Sequence, residues 1–266
     1  MSESASLESA VEKIEETTAR KRNAENIDQK VERAGMLVST LERDVNALED
    51  SVRKLQFYRE ILDSGFGIEP PGDAAISRAR SSITKTSDEL VSVLVEDGLD
   101  QQRTSSGKLS GGPQYDRYRD EISDAKDDVD KATDHARERY RSKREEWKEK
   151  LNSAQDLLYA LGSQERDFSN TISWLRTIIT NEMDDPSNSA SSVVQKWQNA
   201  RKKWEESEEL HDTTSFQEEH GISDETMETI LNLNQRTDMT LADIELSTLR
   251  ELKSIPQLAE SVKIEI

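Results

Sequence analysis

An all-α fold is what this sequence imposes, and three observations carry it. Apolar residues recur in steps of four and three along 27–62: Ile27, Val31, Ala34, Val38, Leu41, Val45, Leu48, Val52 and Leu55. That spacing is the heptad of a helix made to lie against another helix, with Val at the a positions and Ala or Leu at d. Apolar residues make up 33% of the chain and charged residues 34%, too polar for a thick globular core and ordinary for long paired helices. Only 10 Gly and 5 Pro stand among 266 residues, so few positions stop a helix.

The elements follow in order. Ser6 is a candidate cap for a helix opening at Leu7. Leu7, Val11 and Ile14 start a heptad that loses phase where Arg20, Lys21 and Arg22 intrude, then resumes one residue out of step at Ile27. A break of that kind changes local supercoiling. The first helix is expected to end near Ser64, before Gly65, Gly67 and the run Glu69-Pro70-Pro71-Gly72. Asp73 caps a short second helix with Ile76, Ala79, Ile83, Leu90 and Leu94 on one face. Gly98 to Gln114 has almost nothing to bury and reads as a flexible linker. Tyr115 opens a second long helix through Tyr118, Ile122, Ala125, Val129, Tyr140, Trp147, Leu151, Leu158, Ile172 and Ile179. Gly162 is tolerable inside it at a cost of about 1 kcal/mol relative to Ala, and Asp184-Asp185-Pro186 stops it.

A further helix over 189–211 carries Trp197 and Trp204 one heptad apart, a spacing that suits core packing. The last stretch holds shorter elements: a helix over Glu225–Leu233, another after Thr240, and Val262 to Ile266, whose alternation suggests a short strand. The expected layout is a first coiled-coil helix over 1–64; breaker, short helix and linker over 65–114; a second coiled-coil helix over 115–183; the Trp-bearing helix; and a small C-terminal helical module over 215–266. The two long helices are similar in length and read as arms of a long antiparallel hairpin. The alternative is a parallel homodimer through the Ile27–Leu62 seam, because Val at a with Leu at d favours two parallel strands.

Net charge is −19, from 55 acidic and 36 basic residues. Such a field repels nucleic acid and anionic lipid, so neither is an expected partner. A local basic cluster, Arg137, Arg139, Arg141, Lys143 and Arg144, is interleaved with Glu138, Glu145 and Glu146 and reads as a solvated helix face. Abundant Asp and Glu, more Arg than Lys and no Cys resemble the proteomes of salt-loving microbes. Zero Cys removes disulfides, thiol chemistry and Cys-based metal sites. No apolar run reaches the roughly 18–20 residues of a membrane span, and the first residues lack a signal-peptide pattern. The expected setting is the cytoplasm.

No constellation argues for catalysis, and no cofactor is expected. Leu109-Ser110-Gly111-Gly112 resembles the first four residues of the ABC-type ATPase signature motif, whose mechanical content is a helix N-terminus offering N–H groups to a phosphate. Pro113 stands where Gln is usual, and a Gly-x-x-x-x-Gly-Lys-Ser/Thr loop is missing. His211 and His220, flanking Asp212, Glu218 and Glu219, share no single helical face and read as polar loop residues, not zinc ligands. The function expected is a non-enzymatic coiled-coil scaffold or adaptor for protein–protein interaction. Its interface is Val31, Ala34, Val38, Leu41, Val45, Leu48, Val52 and Leu55, and its partner another protein or a second copy. An accessory coiled-coil subunit of a DNA-handling or defence ATPase complex is the alternative.

The acid surplus generates a prediction. The screening length falls from about 10 Å at 0.1 M salt to about 3 Å at 1 M, while burial of the apolar seam is unaffected. Exposed ion pairs weaken too, but each is worth only about 0–1 kcal/mol. The melting temperature followed by circular dichroism is expected to rise from 0.1 to 2 M KCl. A flat or falling curve would mean that the charges are already balanced locally.

Overall fold

A computed structural model of the chain describes residues 2–93, 112–161, 166–233 and 244–255. It is all-α: α1 Ser2–Glu60, α2 Asp73–Val93, α3 Pro113–Ala160, α4 Arg166–Thr177, α5 Ala190–Glu205, α6 Thr213–His220, α7 Asp224–Leu233 and α8 Leu246–Ser254. The expected linker over Gly98 to Gln114 falls almost entirely outside the described residues. The Leu109-Ser110-Gly111 run, Gly162 and the strand expected at 262–266 fall wholly outside them. The chain divides into two compact units, Met1–Leu55 with Gly72–Thr133, and Gln56–Pro71 with Asp134–Ile266.

The first unit is a three-helix arrangement of α1, α2 and the start of α3. Its buried layer is Leu37, Leu41, Leu48 and Leu55 from α1, Ile76 and Ala79 from α2, and Tyr115, Ile122, Ala125 and Val129 from α3. Direction and register can be read from the polar bonds that flank this layer. The Tyr115 hydroxyl donates to the Leu37 carbonyl at 2.8 Å, and Arg119 Nε donates to Asp44 Oδ2 at 2.8 Å. Ser51 bonds Asp130 further along. α3 therefore runs in the same direction as α1. Along α2 the order reverses: Arg78 pairs with Asp128, Lys85 Nζ with Glu121 Oε2 at 3.1 Å, and Glu89 with the Tyr118 hydroxyl.

The antiparallel arm of the hairpin is thus α2, not the third helix. The chain reverses before α2 and again after it, so α3 returns along the direction of α1. With 21 residues, α2 is a full arm of this arrangement. The reversal before α2 explains Gly72. Its φ is +100°, and an added Cβ would lie 3.0 Å from Leu55 Cδ2 and 3.1 Å from the Ala132 Cβ, so both the backbone and the close approach require glycine.

In the second unit α1 ends in a wider π turn, Ile61–Gly65. Helix C-termini leave carbonyls without intrahelical donors. Here α5 supplies them: Trp197 Nε1–H donates to the Gly65 carbonyl and Gln198 Nε2 to the Ser64 carbonyl, both at 2.9 Å. Trp197 and Trp204 are 0% and 4% exposed, so their shared face is core. Phe66 and Trp147 pack on Trp197 with ring centroids 5.3 and 4.8 Å away, and Phe168 stacks on Trp204 at 5.3 Å.

The expectation of one helix over 115–183 is corrected. α3 stops at Ala160, and α4 with the π turn Ile178–Glu182 runs back along it. Arg176 Nη2 donates to Asn152 Oδ1 at 2.9 Å, and the Tyr140 hydroxyl donates to the Ile179 carbonyl. The apolar pattern is continuous through the reversal because both arms bury their stripes, so periodicity alone did not reveal it.

The loop expected around His211 and His220 is also corrected, since α6 occupies it. Asp212 caps α6 by accepting from the Ser215 N–H at 2.8 Å, and Gly221 closes it at φ +61°. These are ordinary cap and stop signals, and the eight residues of α6 include a single apolar one, the buried Phe216, too few to show a period. Next to it, α8 anchors the start of α7: Glu251 Oε2 accepts from the Ser223 N–H at 2.9 Å and from the Ser223 hydroxyl at 2.8 Å. These bonds, with one from Thr226, hold the Glu251 carboxyl below its ordinary range.

The indole bond to Gly65 is testable. Trp197→Phe keeps most of the ring volume and removes the indole donor to that carbonyl. An unsatisfied buried acceptor costs about 1–3 kcal/mol. A clear fall in melting temperature is expected, and no fall would show that the bond contributes nothing.

Candidate docking groove

The site emerges from how α1 divides its apolar seam. The buried face is the d row, Leu41, Leu48 and Leu55 at 1%, 0% and 0% exposure, together with the neighbouring g positions Leu37 and Ser51 at 2% and 6%. α3 covers this side. The a row sits at its margin: Val38, Val45 and Val52 are half-buried, as is Ala34, and Val31 is 66% exposed. The Leu residues are thereby buried inside the chain's own first unit, not presented as an open seam.

Between the open side of α1 and α2 lies a groove of about 550 Å³. Val38, Leu41 and Val45 from α1 and Ile83 from α2 supply its apolar surface. Glu42, Asn46, Glu49 and Ser87 form the polar margin. Glu42 and Glu49 have no ion pair among the described residues, so the rim is acidic and uncompensated. Three of the eight expected interface residues, Val38, Leu41 and Val45, meet here. Leu48 and Leu55 are core, while Val31, Ala34 and Val52 do not line the groove.

Thr86 also lines the groove and was not signalled by the sequence. It is 3% exposed, and its Oγ1 has no hydrogen-bond partner. Other helical threonines, Thr40, Thr133, Thr171 and Thr177, donate to the carbonyl four residues back. Thr86 does not, and a buried hydroxyl left unbonded costs about 1–3 kcal/mol.

The opposite side of the unit is closed by charge-assisted bonds. Burial pulls the Glu121 carboxyl up, but hydrogen bonds from Lys85 and Arg117 outweigh it and hold the carboxyl below its ordinary range. Burial pushes the Tyr115 hydroxyl up to about 12, so it stays a donor to Leu37 at any working pH. These contacts keep the helices that wall the groove in a fixed register.

Other sites considered in the sequence are occupied by local structure. Arg139 donates to the Glu69 carbonyl at 2.9 Å, Lys143 pairs with Glu146 at 2.6 Å, and Arg144 pairs with Glu145 at 3.2 Å. The basic cluster is thus largely spent on neighbours. His211 stacks on Trp204 with centroids 4.1 Å apart, and its Nε2 lies 2.7 Å from the Trp204 carbonyl. His220 lies against Phe216. Among the described residues no group of three or more His, Cys, Asp or Glu is placed to hold a metal ion, and no helix is long and apolar enough to cross a membrane. A second groove, about 620 Å³, contains the 51% exposed Trp174. The Lys203 ammonium lies 5.7 Å from the centre of that ring and covers part of its face.

Comparison with protein-family models, curated proteins and solved structures gives no match.

Thr86→Val is isosteric and deletes the unbonded hydroxyl. Replacing such a group by an apolar one of the same shape is neutral or stabilising. The melting temperature is expected to stay level or rise; a fall of several degrees would show that the hydroxyl makes a stabilising bond.

Proposed function

We propose that the chain is a non-enzymatic scaffold or adaptor whose first unit receives an amphipathic helix in the α1–α2 groove. The observation that supports this is the groove itself. Half-buried Val38, Val45 and Ile83 form an apolar strip on two helices held in register, with Glu42 and Glu49 at the edge. Helix-in-groove recognition uses this kind of strip, read by apolar residues spaced three and four apart on the incoming helix. The acidic rim selects a helix with Lys or Arg beside its apolar stripe and disfavours an acidic one.

A fluorescent synthetic helix built of heptads, with Leu at a and d and Lys elsewhere, is the probe. Anisotropy is expected to show saturable binding, and the same heptads with Glu in place of Lys are expected to bind at least 10-fold more weakly. Val45→Asp with Ile83→Asp puts two charges in the strip at half-exposed positions, so the unit still folds by circular dichroism. At least a 10-fold loss of affinity for the Lys helix is expected, equal to about 1.4 kcal/mol. Unchanged affinity in this variant would overturn the reading.

A further inference from the structure

We propose that the groove's occupant is α1 of a second copy of this chain. Residues 20–34 of each copy lie antiparallel in the groove of the other, about a twofold axis at the level of Met36. This rests on the groove reading above and names its partner.

The first observation is a helix whose stripe no described residue covers. Every residue from Lys13 to Gln29 is exposed. Ile14, Ile27 and Val31 are 66%, 60% and 66% exposed, and Met36 is 45% exposed. An isolated helix is marginal in water, and an apolar stripe along it calls for a partner.

The second observation is register. Ile27, Val31 and Ala34 stay in phase with the Val38, Leu41 and Val45 that line the groove. Two α1 helices laid antiparallel about Met36 set Ala34 of each copy against Val38 of the other. Val31 then lies over Leu41 and Ile27 against Val45. Each layer joins an a position to a d position, so the stripe that lacks a partner and the strip that needs an occupant are complementary halves of one heptad pattern. Gly35 lies one residue from the crossing level, presents no side chain, and a Cβ there would meet nothing within 4 Å, so the helices can approach closely beside it.

The third observation is charge. Arg20-Lys21-Arg22 is a basic run in a chain of net charge −19. In this register Lys21 and Arg22 come within two residues of the level of Glu49 of the other copy, and Lys30 is level with Glu42 but on the opposite flank of the seam. Asp28 falls near Glu42 as well, so the attraction concentrates at Glu49. The arrangement is isologous: two arms fill two grooves and the assembly closes.

The chain has no Cys, so single Cys variants of the full-length protein report the contact. Sedimentation is expected to give a dimer. Ile27→Glu with Val31→Glu, both at exposed positions, is expected to give a monomer of unchanged core stability. Under mild oxidation Gly35→Cys is expected to form a disulfide-linked dimer. Val31→Cys is expected to stay unlinked, since the two copies of that position stand about 15 Å apart along the axis at 1.5 Å per residue. Linkage through Val31→Cys and not Gly35→Cys would mean a parallel pair and would overturn the inference. So would a dimer that survives the double Glu substitution. A monomeric wild-type chain that still binds the Lys helix in its groove would overturn this inference and leave the groove reading standing. A monomer that binds no helix would overturn both.

Discussion

The first unit depends on burial of the Leu row of α1 beneath α3. Leu37, Leu41, Leu48 and Leu55 are all 2% exposed or less, and each such side chain removed from water contributes about 1.5–3 kcal/mol. Burial alone leaves a helix free to slide by a turn. The Tyr115 bond to the Leu37 carbonyl and the Arg119–Asp44 pair remove that freedom, because a shift of one turn would break both. Once α1 and α3 are set in this register, α2 has one place to lie. Its three ion-pair and hydroxyl contacts to α3 then fix the spacing of the wall that faces Val38 and Val45.

That commitment also explains why a site exists at all. A heptad seam has two rows, and a single neighbouring helix covers the row it faces best. With the Leu row buried in the unit's core, the Val row remains at the edge of α2, half-buried and bordered by Glu42 and Glu49. Thr86 sits in the wall with a hydroxyl that neither α2 nor α1 satisfies. The groove is thus the unspent part of the same pattern that builds the core.

The second unit solves a different problem with aromatic side chains. α1 ends in a π turn whose carbonyls need donors, and the α5 residues Trp197 and Gln198 supply them. The indole is both the donor and the centre of the cluster with Phe66 and Trp147. A polar requirement of one helix end and the apolar requirement of a core are met by one side chain, which accounts for its complete burial.

What the sequence by itself determined is the helical class, the breakers at Gly65 to Gly72, the burial of the d-position leucines and the pairing of Trp197 with Trp204 on one face. Each follows from local spacing or from a residue that cannot continue a helix. Tertiary structure alone decided which arm pairs with which. A stripe on α1 fits α2 or α3 equally by period, and only the polar bonds across the layer chose a parallel α3. It also decided that the pattern over 115–183 folds back, because a stripe reads the same on one long helix as on two antiparallel ones. Asp212 and Gly221 mark the ends of α6, yet with Phe216 the single apolar residue between them no period shows the helix. Thr86 had no signal in the sequence: a Thr on a polar helix is unremarkable until its neighbours bury it without giving it a bond.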